Sequence, residues 1–335
     1  MKAIQIIITA VIALGFASGA FAADKPAVAN FNKKKIELPA TVDADAVAKI
    51  TAEAGADLKE LSLRGAQIAD LAPLVEAFPK LEVVELRNCT LADLAPLAGL
   101  AELKDLSLYG SKVEDFGPLA GCAKLRKFEY YAVRDADYAS LGKLTQVEVF
   151  EGGLTDMTDI AWMKDVPNLK VFSAMGEAIE DYTPLANTKV ERLSLQAMRA
   201  PAKLTEQLAD LATLTYLELN DLEDVTGFES LGKLTGLKQL NIIKVNQEKG
   251  NVDAAFLKTL VKLEKLQLSD VTVANFDAVA ACVKLTQVDL SETKGIESLA
   301  PLKKLPALDM VNVTEGLFPK KELKGFGEDV VINEE

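Results

Sequence analysis

Apolar residues in this chain follow two periods at once. Over a few residues they run Leu-x-x-Leu-x-Leu, ending in the alternation that gives a strand one buried face, as at Leu103, Leu106 and Leu108. Over longer distances the same signature returns every 21 to 26 residues, twelve times. Copies begin at Leu58, Leu81, Leu103, Leu125, Val147, Leu169, Val190, Leu214, Leu237, Leu263, Leu285 and Leu308. After each strand the pattern predicts a turn and then a segment crossing the opposite side, such as Val113 to Leu119. So short a unit cannot bury its own apolar face, so neighbours must stack into one continuous core. The prediction is a single elongated solenoid of α/β class with one parallel sheet.

The thirteenth position of the unit is Asp in six consecutive copies: Asp70, Asp93, Asp115, Asp137, Asp159 and Asp181. A Pro follows three residues later at Pro73, Pro96, Pro118 and Pro184. Asp ahead of a Pro-containing turn suits the start of a short helical segment, its carboxylate accepting a backbone N–H. Calcium binding by this column would need carboxylates converging from several directions, and stacked turns supply one per layer. Residues 204–211 and 251–261 have helical spacing, which predicts wider helices on the outer side and a more open curvature there. Residues 248–251 read as an exposed loop. At the front, 36–39 and then Asp43 to Ala54 read as a strand and an amphipathic helix capping the stack, with 23–33 flexible. The predicted organisation is a signal peptide at 1–22, a flexible start and cap at 23–57, repeats at 58–307, and a last partial repeat with C-terminal cap at 308–335. That last part lacks the usual outer segment and closes with a short strand at Val330 to Ile332.

Lys2, the apolar run from Ile4 to Phe16 and the small-x-small triplet ending at Ala22 form a secretory leader, with cleavage expected after Ala22. The run is too short for a comfortable membrane span. The chain is therefore expected to be exported, periplasmic or extracellular, with no stable membrane insertion after cleavage. A formal charge of −13 makes nucleic acid an unsuitable partner. Three cysteines do not make a disulfide framework. Cys122 and Cys282 share a repeat position that holds Leu in other copies and lie about 34 Å apart at one strand spacing per repeat, so they read as buried apolar residues. Cys89, in a turn, also points inward. Histidine is absent, which removes the usual general base and the commonest metal ligand. No catalytic, cofactor or metal site is expected.

The signature Leu-x-x-Leu-x-Leu followed by Ile68 to Leu74 (Ile-Ala-Asp-Leu-Ala-Pro-Leu) resembles the leucine-rich repeat family, in its bacterial internalin-like 22-residue form. The resemblance covers nearly all of residues 58–320. It implies a curved solenoid with the parallel sheet on the concave side and short helices and turns on the convex side. It also implies recognition of proteins or glycans. One departure is clear. The family's ninth-position Asn, which satisfies buried backbone groups, is replaced by Ala66, Cys89, Ser111, Val133, Thr155, Glu177, Met198, Leu222, Val245, Val271, Thr293 and Gly316. Backbone groups at these turns must find hydroxyls, water or another geometry. Glu177 is expected to turn outward.

Alternation places the fifth and seventh positions of each copy on the concave face. The seventh column begins Arg64, Arg87, Tyr109, Tyr131, and Arg and Tyr are the residues most enriched at binding hot spots. Arg87 can stack on Tyr109, while a self-satisfied ladder would have Glu85 neutralise both Arg residues. The candidate partner-binding residues are Arg64, Glu85, Arg87, Tyr109, Lys127, Glu129, Tyr131, Glu151 and Met175. Glu129 and Glu151, on adjacent strands about 5 Å apart, have the separation of a retaining glycosidase pair. A flat sheet face, however, offers no pocket to keep one of them protonated, and they read as solvated acids. Trp162, where other copies carry Pro, reads as a packing substitution. The expected function is non-catalytic protein recognition through the concave face. The alternatives are glycan binding and a structural role in the envelope.

Overall fold

The computed structural model describes residues 26–32, 34–153, 155–176, 178–201, 203–246 and 251–334. The leader (1–22), Glu177 and most of the 248–251 loop lie outside the described residues. Each of the twelve copies contributes one strand to a 15-stranded sheet, from Glu60–Arg64 to Met310–Val313. Neighbouring repeat strands are parallel and pair position for position. Arg64 is opposite Arg87, Arg87 opposite Tyr109, Tyr109 opposite Tyr131, and Tyr131 opposite Gly153. A one-residue slip would send every Leu to the solvent side, so the apolar alternation fixes this register. The buried side chains of all repeats form one continuous core. The sheet advances by about 4.8 Å per repeat, less than the width of the outer segments, so the stack curves with its sheet on the concave side.

The front cap differs from the sequence expectation. Where a flexible arm is expected, Ala27–Phe31 form a strand, β1, paired antiparallel both with β2 (Lys34–Leu38) and with the first repeat strand, β3 (Glu60–Arg64). Ala27, Ala29 and Phe31 are buried and explain the ordering. They cover the apolar edge that the first repeat would otherwise expose. The cap helix α1 spans Ala44–Ala54, with the Asp43 carboxylate accepting from the amides of Asp45 (3.1 Å) and Ala46 (3.0 Å). At the back, Val331–Glu334 add a parallel strand to Met310–Val313, after a short helix at Lys320–Leu323.

All six aspartates of the thirteenth column accept a backbone N–H two residues on, at 2.6–3.1 Å: Asp70 from Ala72, Asp93 from Ala95, Asp115 from Gly117, Asp137 from Ala139, Asp159 from Ala161 and Asp181 from Thr183. Each starts a short outer helix, mostly of 3-10 type. Removing one such acceptor, as in Asp93→Ala, should cost about 1 kcal/mol in urea unfolding. A change below a few tenths would show that water replaces the carboxylate.

Of the two wider helices expected in the second half, the first forms over part of its length, as the α-helix Leu204–Leu208, whereas 251–261 give a two-residue strand, Val252–Asp253, then a 3-10 helix, Ala254–Thr259. Asp253 accepts from the Ala255 amide at 2.9 Å, and Val252 donates to the Thr272 carbonyl at 2.8 Å. In residues 251–261, pairing with the next repeat and an Asp-started tight helix override the helical spacing.

The turns that lack an asparagine ladder are held mainly by backbone. The eighth position takes a left-handed conformation at Gly65, Asn88, Gly110, Ala132, Gly176, Ala197, Asp221, Lys244, Asp270 and Glu292. In that conformation the N–H can reach the seventh-position carbonyl of the next repeat, as from Gly65 to Arg87, Gly110 to Tyr131 and Lys244 to Ser269, at 2.7–3.0 Å, while the Glu292 N–H donates to the Thr314 hydroxyl at 2.7 Å. Tenth-position amides then donate to ninth-position carbonyls of the preceding repeat, as from Thr90 to Ala66 and Lys112 to Cys89, both at 2.9 Å. Where the ninth residue carries a hydroxyl, it adds further bonds. Ser111 Oγ donates to the Leu86 carbonyl (2.7 Å) and accepts from the Cys89 amide (3.1 Å), and Thr293 donates to the Leu268 carbonyl. One asparagine does clasp a neighbour, one position late: the Asn246 amide holds both the N–H and the C=O of Val225. Cys89, Cys122 and Cys282 are buried and unbridged, and burial pushes the Cys122 and Cys282 thiols up to about 11 and about 12.

Repeats four to six carry an aromatic core. Phe128, Phe150 and Phe172 replace Leu at the fourth position, and Tyr130 replaces it at the sixth. Phe128 stacks on Tyr130 at 5.8 Å, and Phe150 meets Phe128 edge-on at 5.9 Å. Trp162 packs edge-on against Phe150 at 5.1 Å and is 6% exposed, so it is a core residue reaching in from the outer helix. The extra volume of Tyr130 is accommodated by Gly152, the sixth-position residue of the next repeat. A Cβ placed there would lie 2.6 Å from the Tyr130 ring.

Candidate functional site

The odd strand positions of every repeat face the concave side, and all nine candidate residues lie on it. Arg64 and Arg87 are exposed, and the other seven are half-buried. They fall into two clusters and two outliers. In the first cluster Glu85 pairs with Arg87 at 3.5 Å, the Arg87 guanidinium lies 5.9 Å from the Tyr109 ring, and Tyr109 and Tyr131 are 6.2 Å apart and tilted by 32°. Acid, guanidinium and two phenols thus run across three adjacent strands. In the second, the Lys127 ammonium bridges Glu129 (2.6 Å) and Glu151 (3.0 Å). Burial works against the charge of Lys127, but the hydrogen bonds and fields of the two glutamates prevail and hold it above the usual lysine range. With this internal cation between them, Glu129 and Glu151 are not arranged as a separated acid and nucleophile.

Arg64 and Met175 stand apart from both clusters. The ladder expectation that Glu85 neutralises both arginines fails for Arg64, which makes no ion pair among the described residues. It is held directly opposite Arg87, a like-charge pairing that sheets normally avoid. Met175 lies two strands beyond Tyr131, with Gly153 between them. The Met175 carbonyl is 2.6 Å from where a Gly153 Cβ would be, so glycine permits a close approach of the two backbones.

The concave face carries further groups that residue pattern alone does not single out. The concave face continues onto the cap, where Val28 is opposite Arg64 and Asn30 opposite Ser62. A shallow hollow of about 330 Å³ opens there between Asn30, Lys34, Lys35, Glu60 and Glu85. In repeats seven and eight, Glu218 lies in the concave floor at 7% exposure. It accepts from Tyr216 Oη (2.6 Å), Gln196 Nε2 (2.8 Å) and Ser194 Oγ (3.2 Å). Burial, then the field and hydrogen bond of Glu218, raise the Tyr216 phenol well above its usual range. The signal was Tyr216 and Glu218 two residues apart on one strand, with Arg192 in register beside Tyr216.

One rim of the stack carries alternating charges at the second position. Glu82 accepts from Lys59 at 2.7 Å and also from Lys104, and Glu148 pairs with Lys170 at 2.7 Å. The Lys104 and Lys59 hydrogen bonds bring the Glu82 carboxyl from 4.5 down to about 2. The folded value lies below the unfolded one, so this contribution is complete above about pH 4.5 and is lost as pH falls toward 2. Between those values the thermal midpoint of Glu82→Gln should fall less steeply with acid than that of the unaltered chain. Parallel curves would show the pairing to be screened out by solvent and salt.

Twelve strand–turn–helix units stacked in register on one parallel sheet define a leucine-rich repeat solenoid of the internalin type of fold. No protein-family model and no curated protein sequence matches the chain. Among solved structures it is similar to an internalin, InlF, from Listeria monocytogenes, at 22% identity and a TM-score of 0.58, over 81% of this chain and 88% of the internalin. It is also similar to a leucine-rich repeat protein from Leptospira interrogans, at 12% identity and a TM-score of 0.53, over 88% and 92% of the two chains. At these identities the likeness is one of fold.

Proposed function

We propose that this chain is an exported, non-catalytic recognition protein that holds a protein partner on its concave face, chiefly over repeats one to five. The observation that carries this reading is the run Glu85, Arg87, Tyr109, Tyr131, in which a guanidinium and two phenols are mutually positioned and still open to solvent. Such side chains lose little freedom on binding and bury a large amphipathic area, which is why they dominate interface energetics. The opposed Arg64 and Arg87 add an internal cost that a partner's acidic group would relieve. Among the described residues no helix is long and apolar enough to cross a membrane. Export rests on the leader read from residues 1–22, and protein purified from the producing cells should begin at Ala23. Material that retains Met1 would contradict export by this route.

The Arg87→Ala, Tyr109→Ala double variant should lose roughly 100-fold or more in partner affinity, since hot-spot truncations cost about 2 kcal/mol or more each and stacked neighbours contribute less than the sum of the two. Its unfolding midpoint should stay close to that of the unaltered chain. Unchanged affinity would move the site elsewhere. A second reading, glycan binding, draws on the tilted Tyr109 and Tyr131 rings beside Glu85 and Glu129. Binding on a glycan array that the double variant abolishes would favour it over a protein partner.

A further inference from the structure

We propose that Arg192 and Tyr216 form a second anchor on the concave face, one that takes a carboxylate from an acidic segment of the protein partner. This rests on the reading above, that a protein lies along the concave sheet. The two residues occupy the third position of repeats seven and eight, where each begins its strand, and are opposite one another in register. The Arg192 guanidinium lies 3.9 Å from the Tyr216 ring centroid, against 5.9 Å for Arg87 over Tyr109. Arg192 is exposed and has no ion-pair partner among the described residues, whereas Arg87, Arg126 and Arg199 each have one.

The ring beneath it is fixed from below. Tyr216 Oη donates to Glu218 Oε2 at 2.6 Å, and Asn241 Nδ2 reaches both Tyr216 Oη (3.3 Å) and Glu218 Oε2 (3.4 Å). Gln196 and Ser194 fill the other oxygen of Glu218. Burying a carboxylate is costly, and four donors gathered around this one leave it no capacity for a ligand. Its effect is to hold the Tyr216 ring in one orientation. A guanidinium stacked on that ring loses water from one face and keeps its N–H edge free, the geometry that pairs two N–H groups with two carboxylate oxygens. In a chain of net charge −13, an acidic segment is drawn to open guanidinium groups, and Arg192 differs from the equally exposed Arg64 in being stacked on a fixed ring, which no ring contact among the described residues gives Arg64. Arg192 lies three strands along the stack from Tyr131, about 14 Å, and about 13 Å across it. One extended segment of roughly six residues spans both.

The test titrates the isotopically labelled mature chain with acetyl-tetraglutamate amide, and with the tetraglutamine peptide as control, following arginine Nε–Hε signals by NMR. The Arg192 signal, assigned by its loss in Arg192→Gln, should move with the acidic peptide and not with the neutral one. Arg192→Gln should weaken binding at least tenfold. Arg192→Lys should weaken it at least fivefold, because charge without the planar fork is insufficient, and Tyr216→Leu should weaken it severalfold. Binding unchanged in Arg192→Gln, or shifts at Arg64 and Arg87 with Arg192 unmoved, would overturn the anchor and leave the reading of repeats one to five intact. The reverse failure is equally visible: Arg192 responds as described, but the Arg87→Ala, Tyr109→Ala variant still captures its partner at full strength.

Discussion

Gly152→Leu, which restores the residue most repeats carry at the sixth position, should destabilise the chain by about 3 kcal/mol or more. A leucine there normally fills the core beneath its strand, and by pattern alone the change looks stabilising. The space is already taken. Even a Cβ at 152 would meet Tyr130 Cε2 and Cζ at 2.6 Å, and Tyr130 is held between Phe128 at 5.8 Å and Phe150 at 6.3 Å. The clash therefore falls on a ring with nowhere to turn. Tyr130→Leu alone should also be destabilising, through the cavity it leaves. Combining it with Gly152→Leu should recover much of the loss, because two adjacent sixth-position leucines are what repeats one to three use, at Leu63, Leu86 and Leu108. Urea unfolding of the four proteins of this cycle measures the coupling. Additive losses would show that Tyr130 and Gly152 do not compensate for each other.

Phe150→Ala should cost about 3–5 kcal/mol and should also change the form of the transition. Phe150 contacts Phe128, Tyr130 and Trp162, and so joins repeats four and five to the outer helix Ala161–Asp165. In a solenoid each repeat is stabilised by its immediate neighbours. A weak layer in the middle therefore separates the stack into two blocks. Sheet pairing is already shorter just beyond, where the strands of repeats five and six pair only from Val149 to Glu151. Calorimetry should show one transition in the unaltered chain and two in Phe150→Ala, with the earlier one lowered by several degrees. A single sharp transition, merely shifted, would mean that the repeats unfold as one unit whatever the strength of this layer.

Much of the fold is legible in the sequence because its determinants are local and repeated. The Leu columns give the strands and their register, and the Asp column gives the starts of the outer helices because an Asp carboxylate reaches an amide two residues away. Asp253 serves the same purpose but escapes the column, since the Leu237 repeat is the longest and shifts it out of phase. Residues 251–261 mislead because Val252, Phe256, Leu257 and Leu260 satisfy a helical period as well as the observed strand and 3-10 turn. The missing asparagines were visible, but what replaces them was not. The replacing bonds come from backbone groups of residues as unlike as Ala132, Lys244 and Glu292 in one shared left-handed conformation. Alternation assigned Arg64, Arg87, Tyr109 and Tyr131 to one face. Which groups satisfy each other depends on side-chain reach across strands, and so neither the Lys127 bridge nor the burial of Glu218 is legible in the sequence.

Where a partner touches the molecule is measured directly by site-specific photo-cross-linking in the producing cells. A benzophenone side chain would be placed in turn at Ser62 and Ser173, which bracket the candidate patch on the inner wall, and at Lys164 on the outer one. Covalent adducts from Ser62 or Ser173 and none from Lys164 are the predicted result. An adduct from Lys164 with silence at both inner positions would contradict it.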